Sequence, residues 1–575
     1  MAEAVQWLAD GTPCSARFGD RYRSRTGGLE QAGHVFLKGC GLPGAWAQQR
    51  QWSVLETGFG LGLNFLATWL AWKDDPARPA LLHFTSIEAW PVAPDDLLRS
   101  AEPHPELLPL AQQLAAQWTG LQPGFHRLAF EGGRVLLTLC IGDVQAVLRE
   151  LDFAADSVFL DGFDPQANPA MWELNTLKAV ARLCRRGTGL ATWTSVGQVR
   201  RDLRQCGFVV DRTDGLPPKR HHMAGVFEPA WELRGGRTAT TTEPSTCVVV
   251  GGGLAGASVA ASLARRGWKV EVLDRAAQPA SGASGLPAGL LAPHVSPDDN
   301  PLSRLSRAGV RLTLQQAGAL LRSGEDWQAT SVLEQRPNAE PLCHTTGAWI
   351  KPGALVRAWL DQPGIHWRGG VEVARIAQGP QGWQLFGADG HLCAAAALVV
   401  VATAYASNAL LDAAFPLQPV RGQLSWALRK PGDDAAFPAT PMNGNGHFLP
   451  AVPVDGGLAW LCGSTFQRDD TGTDLRADGH AASLDRLRVL LPALAEQLAP
   501  EFADGTVQGW AGVRCASSDR RPLVGDVQPG LWASVAMGSR GLTFAVLCAE
   551  LLAARLHGEP LPLPRKLAAA LAISR

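Results

Sequence analysis

The sequence predicts an α/β protein in which two Rossmann-like nucleotide-binding folds stand in tandem, the second carrying an antiparallel subdomain. Three observations lead there. An apolar strand, a glycine turn and a helix occur twice, as "QWSVLETGFGLGLNFLATWLAW" at 51–72 and as "CVVVGGGLAGASVAASLARRGWKVEVLD" at 247–274. In each case the following strand ends in an acid, Glu88 and Asp274 respectively. Between them, "LRGGRTATTTEPST" at 233–246 lacks apolar periodicity and reads as a seam. The expected division is a domain over 1–236, a linker over 237–245 and a domain over 246–575, each half folding by itself.

Composition bounds the possibilities before any motif is weighed. The 575 residues exceed what one hydrophobic core organises, since domains run to about 100–200 residues. With 46% hydrophobic and 18% charged residues the chain is globular, and no apolar run approaches the roughly 18 residues of a membrane span. The start, "MAEAVQWLADGTP", has neither the basic opening nor the apolar core of a secretory signal, so a cytoplasmic location is expected. Eleven cysteines without a C-x-x-C pair suggest neither a zinc site nor a disulfide framework, and no metal is expected.

The first glycine loop has Gly58, Gly60 and Gly62, but Leu63 stands where a dinucleotide loop keeps its third glycine. That spacing suits a ligand without a pyrophosphate. Glu56 precedes the loop, Glu88 closes the next strand where ribose hydroxyls lie, and Asp143, after "RVLLTLCIG", is placed to reach an adenine amino group. Acids at successive strand ends of an open α/β sheet point to a ligand at its carboxyl edge. A SAM-dependent methyltransferase fold is expected for this half.

A further strand, "SVFLDGFDPQANPAMW" at 157–172, runs into Asp161 beside where the transferable methyl group would lie. Methylating an amine needs its neutral lone pair, yet an alkylamine has a pKa of about 10, and neutralising it at pH 7 costs on the order of 4 kcal/mol. A carboxylate from Asp161, an aromatic wall from Phe163 and a dry loop containing Pro165 address that cost together.

The second loop is a dinucleotide loop in full. Gly251, Gly253 and Gly256 match G-x-G-x-x-G, a helix N-terminus follows, and Asp274 ends the next strand 18 residues after the third glycine. Short alternating segments from about 345 to 500 read as an antiparallel substrate subdomain.

The residues also resemble a known family. "LETGFGLGLNF", "LDGFDPQANPAMW", "ATWTSVGQVRRDLRQCGF" and "GLPPKRHHM" resemble the methyltransferase part of the bifunctional tRNA 5-methylaminomethyl-2-thiouridine biosynthesis (MnmC) family. "ASGASGLPAGLLAP", "VRGQLSW", "RCASSDRRPLVGD" and "GSRGLTFAVLCAELLA" resemble, in the same order, its FAD-dependent oxidoreductase part. The resemblance implies FAD contacts at Ser284, Gly285, Gly538, Arg540 and Gly541. It also implies a reaction pair on a tRNA wobble uridine, in which a carboxymethyl group is oxidised off an amine and the freed amine is methylated from SAM. The substrate carboxylate calls for an arginine fork, with Arg514 and Arg421 favoured over Arg540.

The charge pattern leaves two readings open. Net charge is −1, which mildly favours a fused amino-acid oxidase and small-molecule N-methyltransferase that does not act on RNA. Against it, ten Lys or Arg stand against three Asp between Lys178 and His222, and "RFGDRYRSR" opens the chain at 17–25. Arg200, Arg201, Arg204, Lys219 and Arg220 are therefore expected to track RNA phosphates, although a solvated face has the same composition.

Overall fold

The computed structural model describes residues 3–23, 27–217, 220–233, 242–380, 382–430 and 437–575, and the chain divides into two compact units. Most of the expected linker, 237–241, and Lys219 lie outside the described residues. One unit is Met1–Thr242 together with Ala554–Lys566; the other is Glu243–Ala553 together with Leu567–Arg575. No helix among the described residues is long and apolar enough to cross a membrane, and no group of His, Cys, Asp and Glu among them is arranged to hold a metal ion.

In the first unit a small hairpin, β1 (Val5–Trp7) with β2 (Pro13–Ser15), precedes the main sheet. That sheet contains β3 (Gln51–Glu56), β4 (Leu81–Glu88), β5 (Gly124–Phe130), β6 (Val135–Ile141), β7 (Ala155–Phe159), β8 (Cys184–Thr192), β9 (Phe208–Asp214) and β10 (His221–Phe227), in the order β5-β6-β4-β3-β7-β8-β10-β9. Strands β6, β4, β3, β7 and β8 are parallel, β5 and β10 run against them, and β9, antiparallel to β10, runs with them again. Alternate side chains sort into two cores: Trp52, Val54, Phe84 and Leu137 on one face, Leu55, Ile87, Cys140 and Val158 on the other. A sheet covered on both faces explains why its strands read as continuous apolar runs. The chain leaves β3 toward β4 on one side and returns to β7 on the other, which opens a crevice at their carboxyl ends.

Part of the second face is polar, and it is here that 554–566 packs. His83 on β4 and Arg127 on β5 are only 1% and 3% exposed. The Arg127 guanidinium donates to Pro560 O at 2.5 Å, His83 Nε2 lies 3.7 Å from the buried Glu559 carboxylate, and Gln51 Nε2 donates to His557 O at 3.0 Å. Lys566 N adds a bond to Glu150 at 3.0 Å, and Leu563 is buried. The front unit is therefore completed by chain from beyond residue 550, which departs from the simple division at 236. The reason is chemical: buried polar strand residues need partners, and His557, Glu559 and Pro560 supply them here.

The second unit holds two larger sheets. Its nucleotide sheet runs Ile365–Gly369, Lys269–Asp274, Thr246–Val250, Leu398–Val401, Leu531–Val535, Leu523–Gln528, parallel except at the last pair. A nine-stranded, mainly antiparallel sheet begins as early as Gly289–Leu291 and the hairpin Trp327–Arg336 with Ala339–Ile350, and ends in Gln508–Ser517 paired to Leu417–Leu428. The expected subdomain boundaries of 345 and 500 are thus too narrow, and 365–401 also feeds other sheets. Strand partners come from segments far apart in sequence, which local alternation does not reveal.

A fragment ending at 242 should fold less stably than the complete unit. Each lost buried leucine is worth about 1.5–3 kcal/mol, and a domain of this size shifts roughly 2–4 °C per kcal/mol. We expect the 1–242 fragment to melt at least about 5 °C lower than the same fragment supplied with a peptide spanning 554–566, measured by calorimetry.

Candidate active sites

The crevice between β3 and β7 opens into a cavity of about 730 Å³. Gly58 lies against the backbone of Asp161, so close that a Cβ there would stand 3.2 Å from Asp161 O. Thr57 Oγ1 donates to the same carbonyl at 2.7 Å, tying the glycine loop to the loop after β7. Gly60 and Glu88 also line the cavity, and Gly60 N donates to Glu88 Oε2 at 2.9 Å while Trp90 N binds Oε1. Burial pushes the Glu88 carboxyl up to about 7. Asp143 reaches the cavity while capping the helix Val144–Glu150 through Ala146 N, which leaves its other oxygen for a ligand.

Asp161 sits at the junction. Its Oδ1 accepts from Gly162 N at 2.8 Å and its Oδ2 from Asn64 Nδ2 at 2.8 Å. The same Asn64 nitrogen donates to Glu56 Oε1 at 2.9 Å, so one amide bridges two carboxyl groups. Glu56 has no solvent exposure and does not line the cavity; it stands behind the wall, with Ser86 Oγ at 2.6 Å, and burial pushes it up to about 8. The cofactor contact expected of Glu56 is replaced by this indirect position. Near neutrality Glu56 is mostly protonated, so Asp161 does not face a second full negative charge.

The loop that carries Asp161 is held by two indoles. Trp172 Nε1 donates to Phe163 O at 2.8 Å and Trp193 Nε1 to Gly162 O at 2.9 Å. Phe163 lines the cavity as expected, and Pro165 does not. None of the described basic residues between 178 and 222 lines it either. Several are engaged locally: Arg185 pairs with Asp156, Arg186 with Glu228, Arg204 with Asp211 at 2.9 Å, and Arg201 bonds Gln198 at 2.6 Å. Arg200 is half-buried and Arg220 exposed, and neither side chain has such a partner among the described residues.

Sequence reasoning missed Asn64, and it singled out 17–25 for its charge without placing Asp20 or Tyr22 at this site. Asn64 had one signal, a lone amide in the apolar run "LGLNFLATWLAW". Asp20, whose carboxylate accepts from Asp164 N at 2.8 Å, and Tyr22, whose ring lies over Gly60, had none, because they reach the site from far upstream.

In the second unit Gly253 caps the helix Leu254–Arg265, and Asp274 accepts from Gly252 N at 2.6 Å and Ala276 N at 2.8 Å. Gly256 has no room for a side chain, since a Cβ would lie 1.8 Å from Gly251 O. Ser284 Oγ accepts from Leu254 N at 2.9 Å at that helix start, Gly285 packs on Ala280 O, and Gly541 touches Leu254. Gly538 takes a left-handed φ of 58° in the same short turn as Arg540. The expected dinucleotide residues Gly251, Gly253, Gly256, Asp274, Ser284 and Gly541 are thus gathered around one helix N-terminus.

The three arginines differ sharply. Arg421 is 0% exposed and spends its guanidinium on Gln467 Oε1, Gln423 Oε1 and Asp474 O, so it ties strands together. Arg514 donates to Ser464 Oγ, Arg421 O and Thr465 O and lies over the Phe466 ring; burial lowers it to about 10. Arg540 is half-buried, and its guanidinium has no hydrogen bond or ion pair among the described residues.

Comparison with known proteins bears on both units. Residues 105–228 match the family model described as S-adenosyl-L-methionine-dependent methyltransferase, and 246–333 with 313–555 match the model described as FAD dependent oxidoreductase. The tRNA 5-methylaminomethyl-2-thiouridine biosynthesis bifunctional protein MnmC of Polaromonas sp. (strain JS666 / ATCC BAA-500) is 55% identical over 99% of this chain and 98% of its own. The chain belongs to that bifunctional family. The family member from Polaromonas naphthalenivorans (strain CJ2) is 53% identical over the same shares. Glycine oxidase from Geobacillus kaustophilus, a solved structure, is 20% identical, covers 57% of this chain and 98% of its own, and superposes with a TM-score of 0.48. The front unit is therefore a SAM-dependent methyltransferase and the second an FAD-dependent oxidoreductase, as the sequence predicts. The cavity with Glu88 and Asp143 suits SAM, and the glycine cradle around Gly256 suits FAD.

Two measurements follow. Ribose hydroxyls donate best to an ionised carboxylate, so SAM binding should tighten from about pH 6 to about pH 8 as Glu88 loses its proton. Glu88→Gln should flatten that dependence in titration calorimetry. In the ligand-free protein the sign is reversed: a raised folded-state value means the stability Glu88 contributes is complete below the ordinary carboxylate range and is lost as pH rises through about 7. Separately, Gly256→Ala should purify without flavin absorbance while retaining SAM binding.

Proposed function

We propose that this chain carries out two successive reactions on the wobble uridine of tRNA in the cytoplasm. The second unit removes the carboxymethyl group of carboxymethylaminomethyl-(2-thio)uridine as glyoxylate, and the first methylates the amine so exposed. Bound FAD supplies a two-electron acceptor for the carbon–nitrogen bond, and bound SAM an electrophilic methyl group.

The observation that carries the methyl-transfer reading is the Asp161 carboxylate, held from behind by Asn64 and Gly162 and opening onto the cavity beside Phe163. It attracts the substrate ammonium, accepts its hydrogen bond and favours loss of a proton. The fixed loop keeps the resulting lone pair aimed at the methyl donor. In the second unit, Arg540 retains all five guanidinium donors and is suited to a bidentate grip on the substrate carboxylate. Arg514 has most of its donors committed, and Arg421 is enclosed, which reverses the order expected from sequence.

Asp161→Asn keeps size and turn geometry but removes the charge. With tRNA from cells lacking this activity, methyl transfer should fall by roughly 10²–10⁴, and the aminomethyl nucleoside should accumulate by mass analysis. Undiminished methylation would reduce Asp161 to a turn residue. Conversion of free amino acids with no change in tRNA nucleosides would establish the small-molecule alternative.

A further inference from the structure

The segment Arg17–Arg23 crosses the mouth of the methyltransferase cavity, and no step so far has used its side chains. Phe18 is the bridge. Its ring lies 4.8 Å from that of Phe163 and 5.6 Å from that of Trp90, and Tyr22 meets Phe163 edge-on at 5.1 Å. Asp20 pins the segment to the catalytic loop through Asp164 N. Trp90 is 37% exposed, although large aromatic rings are usually covered.

Covalent geometry says what belongs there. The reacting nitrogen is joined to the pyrimidine ring through a single carbon, so it stands only about 2.5 Å from the ring edge, given bonds of roughly 1.5 Å. With the amine at Asp161, the ring must therefore lie against residues one or two positions away in space. Phe163 and the Phe18 ring tilted beside it occupy that zone. A base inside a stacked strand cannot enter such a crevice, so it must be swung out and restacked on protein aromatics.

The extruded nucleotide carries phosphates, and the charges at the rim are arranged for them. Arg17 is spent on Glu3, at 3.1 Å, and lies over Trp90. Arg21 lines the cavity mouth, is exposed, and its guanidinium has no partner among the described residues. Of the acids that line the same cavity, Glu3 is paired with Arg17, Asp20 accepts from Asp164 N and Asp164 from Gln166 N, while Glu88, Asp143 and Asp161 stand at the strand ends.

We propose that Arg17–Arg23 is the nucleic-acid contact of the methyltransferase unit, in which Phe18 stacks on the swung-out pyrimidine and Arg21 binds its flanking phosphate. The proposal rests on the tRNA reading above and assigns the contact to a different surface from the 178–222 cluster.

The test uses the full-length protein loaded with FAD and SAM. Phe18→Ala should raise the KM for tRNA roughly tenfold, and Phe18→Tyr, which keeps the ring, should restore it. Arg21→Ala, at an exposed position that does not threaten folding, should flatten the salt dependence of tRNA binding by about 0.7 in slope, one phosphate contact on a single strand. SAM affinity and flavin reduction should stay at wild-type values in all three variants. If Phe18→Ala weakens SAM binding and leaves the KM for tRNA unchanged, the ring serves the cofactor and the proposal is wrong. Unaltered KM and salt slope in the variants overturn it as well. If the wild-type protein neither retains tRNA at low salt nor methylates it, the tRNA reading itself fails.

Discussion

The methyltransferase site depends on one amide bridging two carboxyl groups, one half-buried at the cavity wall and one fully enclosed behind it. Asp161 lies within reach of a second buried carboxyl group, Glu56, and the amide of Asn64 donates to both. Two ionised carboxylates at that spacing in low dielectric would repel strongly. Burial resolves the conflict by pushing Glu56 up to about 8, with Ser86 taking its other oxygen. Glu56 then supplies a neutral anchor for Asn64, and Asn64 supplies an oriented donor for Asp161. The cost of burying the second acid fixes the geometry of the first.

The glycine loop, the N-terminal segment and the indoles all serve that arrangement. Thr57 ties the loop to the Asp161 carbonyl, Trp172 and Trp193 hold the next two carbonyls, at Phe163 and Gly162, and Asp20 binds the same loop farther along. These are hydrogen bonds from rigid or buried groups, which restrain position better than exposed salt bridges do. A site that must place an amine against a methyl donor gains from such restraint, because small displacements lose much of the rate.

The two units solve anion and nucleotide binding by related means but differ at the arginines. Where strands pair closely, as Leu417–Leu428 with Gln508–Ser517, a guanidinium is drawn into satisfying carbonyls, and Arg421 and Arg514 are largely consumed in this way. At the short turn before Gly541–His557 the Arg540 guanidinium has no such acceptor among the described residues. Side-chain type alone does not separate these cases; the surrounding acceptors do.

The sequence by itself determined the two nucleotide folds, their order and their ligand classes. Those features depend on contiguous patterns: an apolar strand, glycines at fixed spacing, a helix start and an acid at the next strand end. Tertiary structure decided which of the indicated residues line the cavity and which are enclosed. Glu56 stands behind the wall, Pro165 is off the cavity and Arg421 is sealed, because each was judged by its neighbours in sequence while its environment comes from elsewhere. Asn64 meets Asp161 across 97 positions, Phe18 meets Phe163 from the chain's beginning, and 554–566 covers His83 and Arg127 from its end. Such contacts are set by how strands cross and where helices return, and no local periodicity records them.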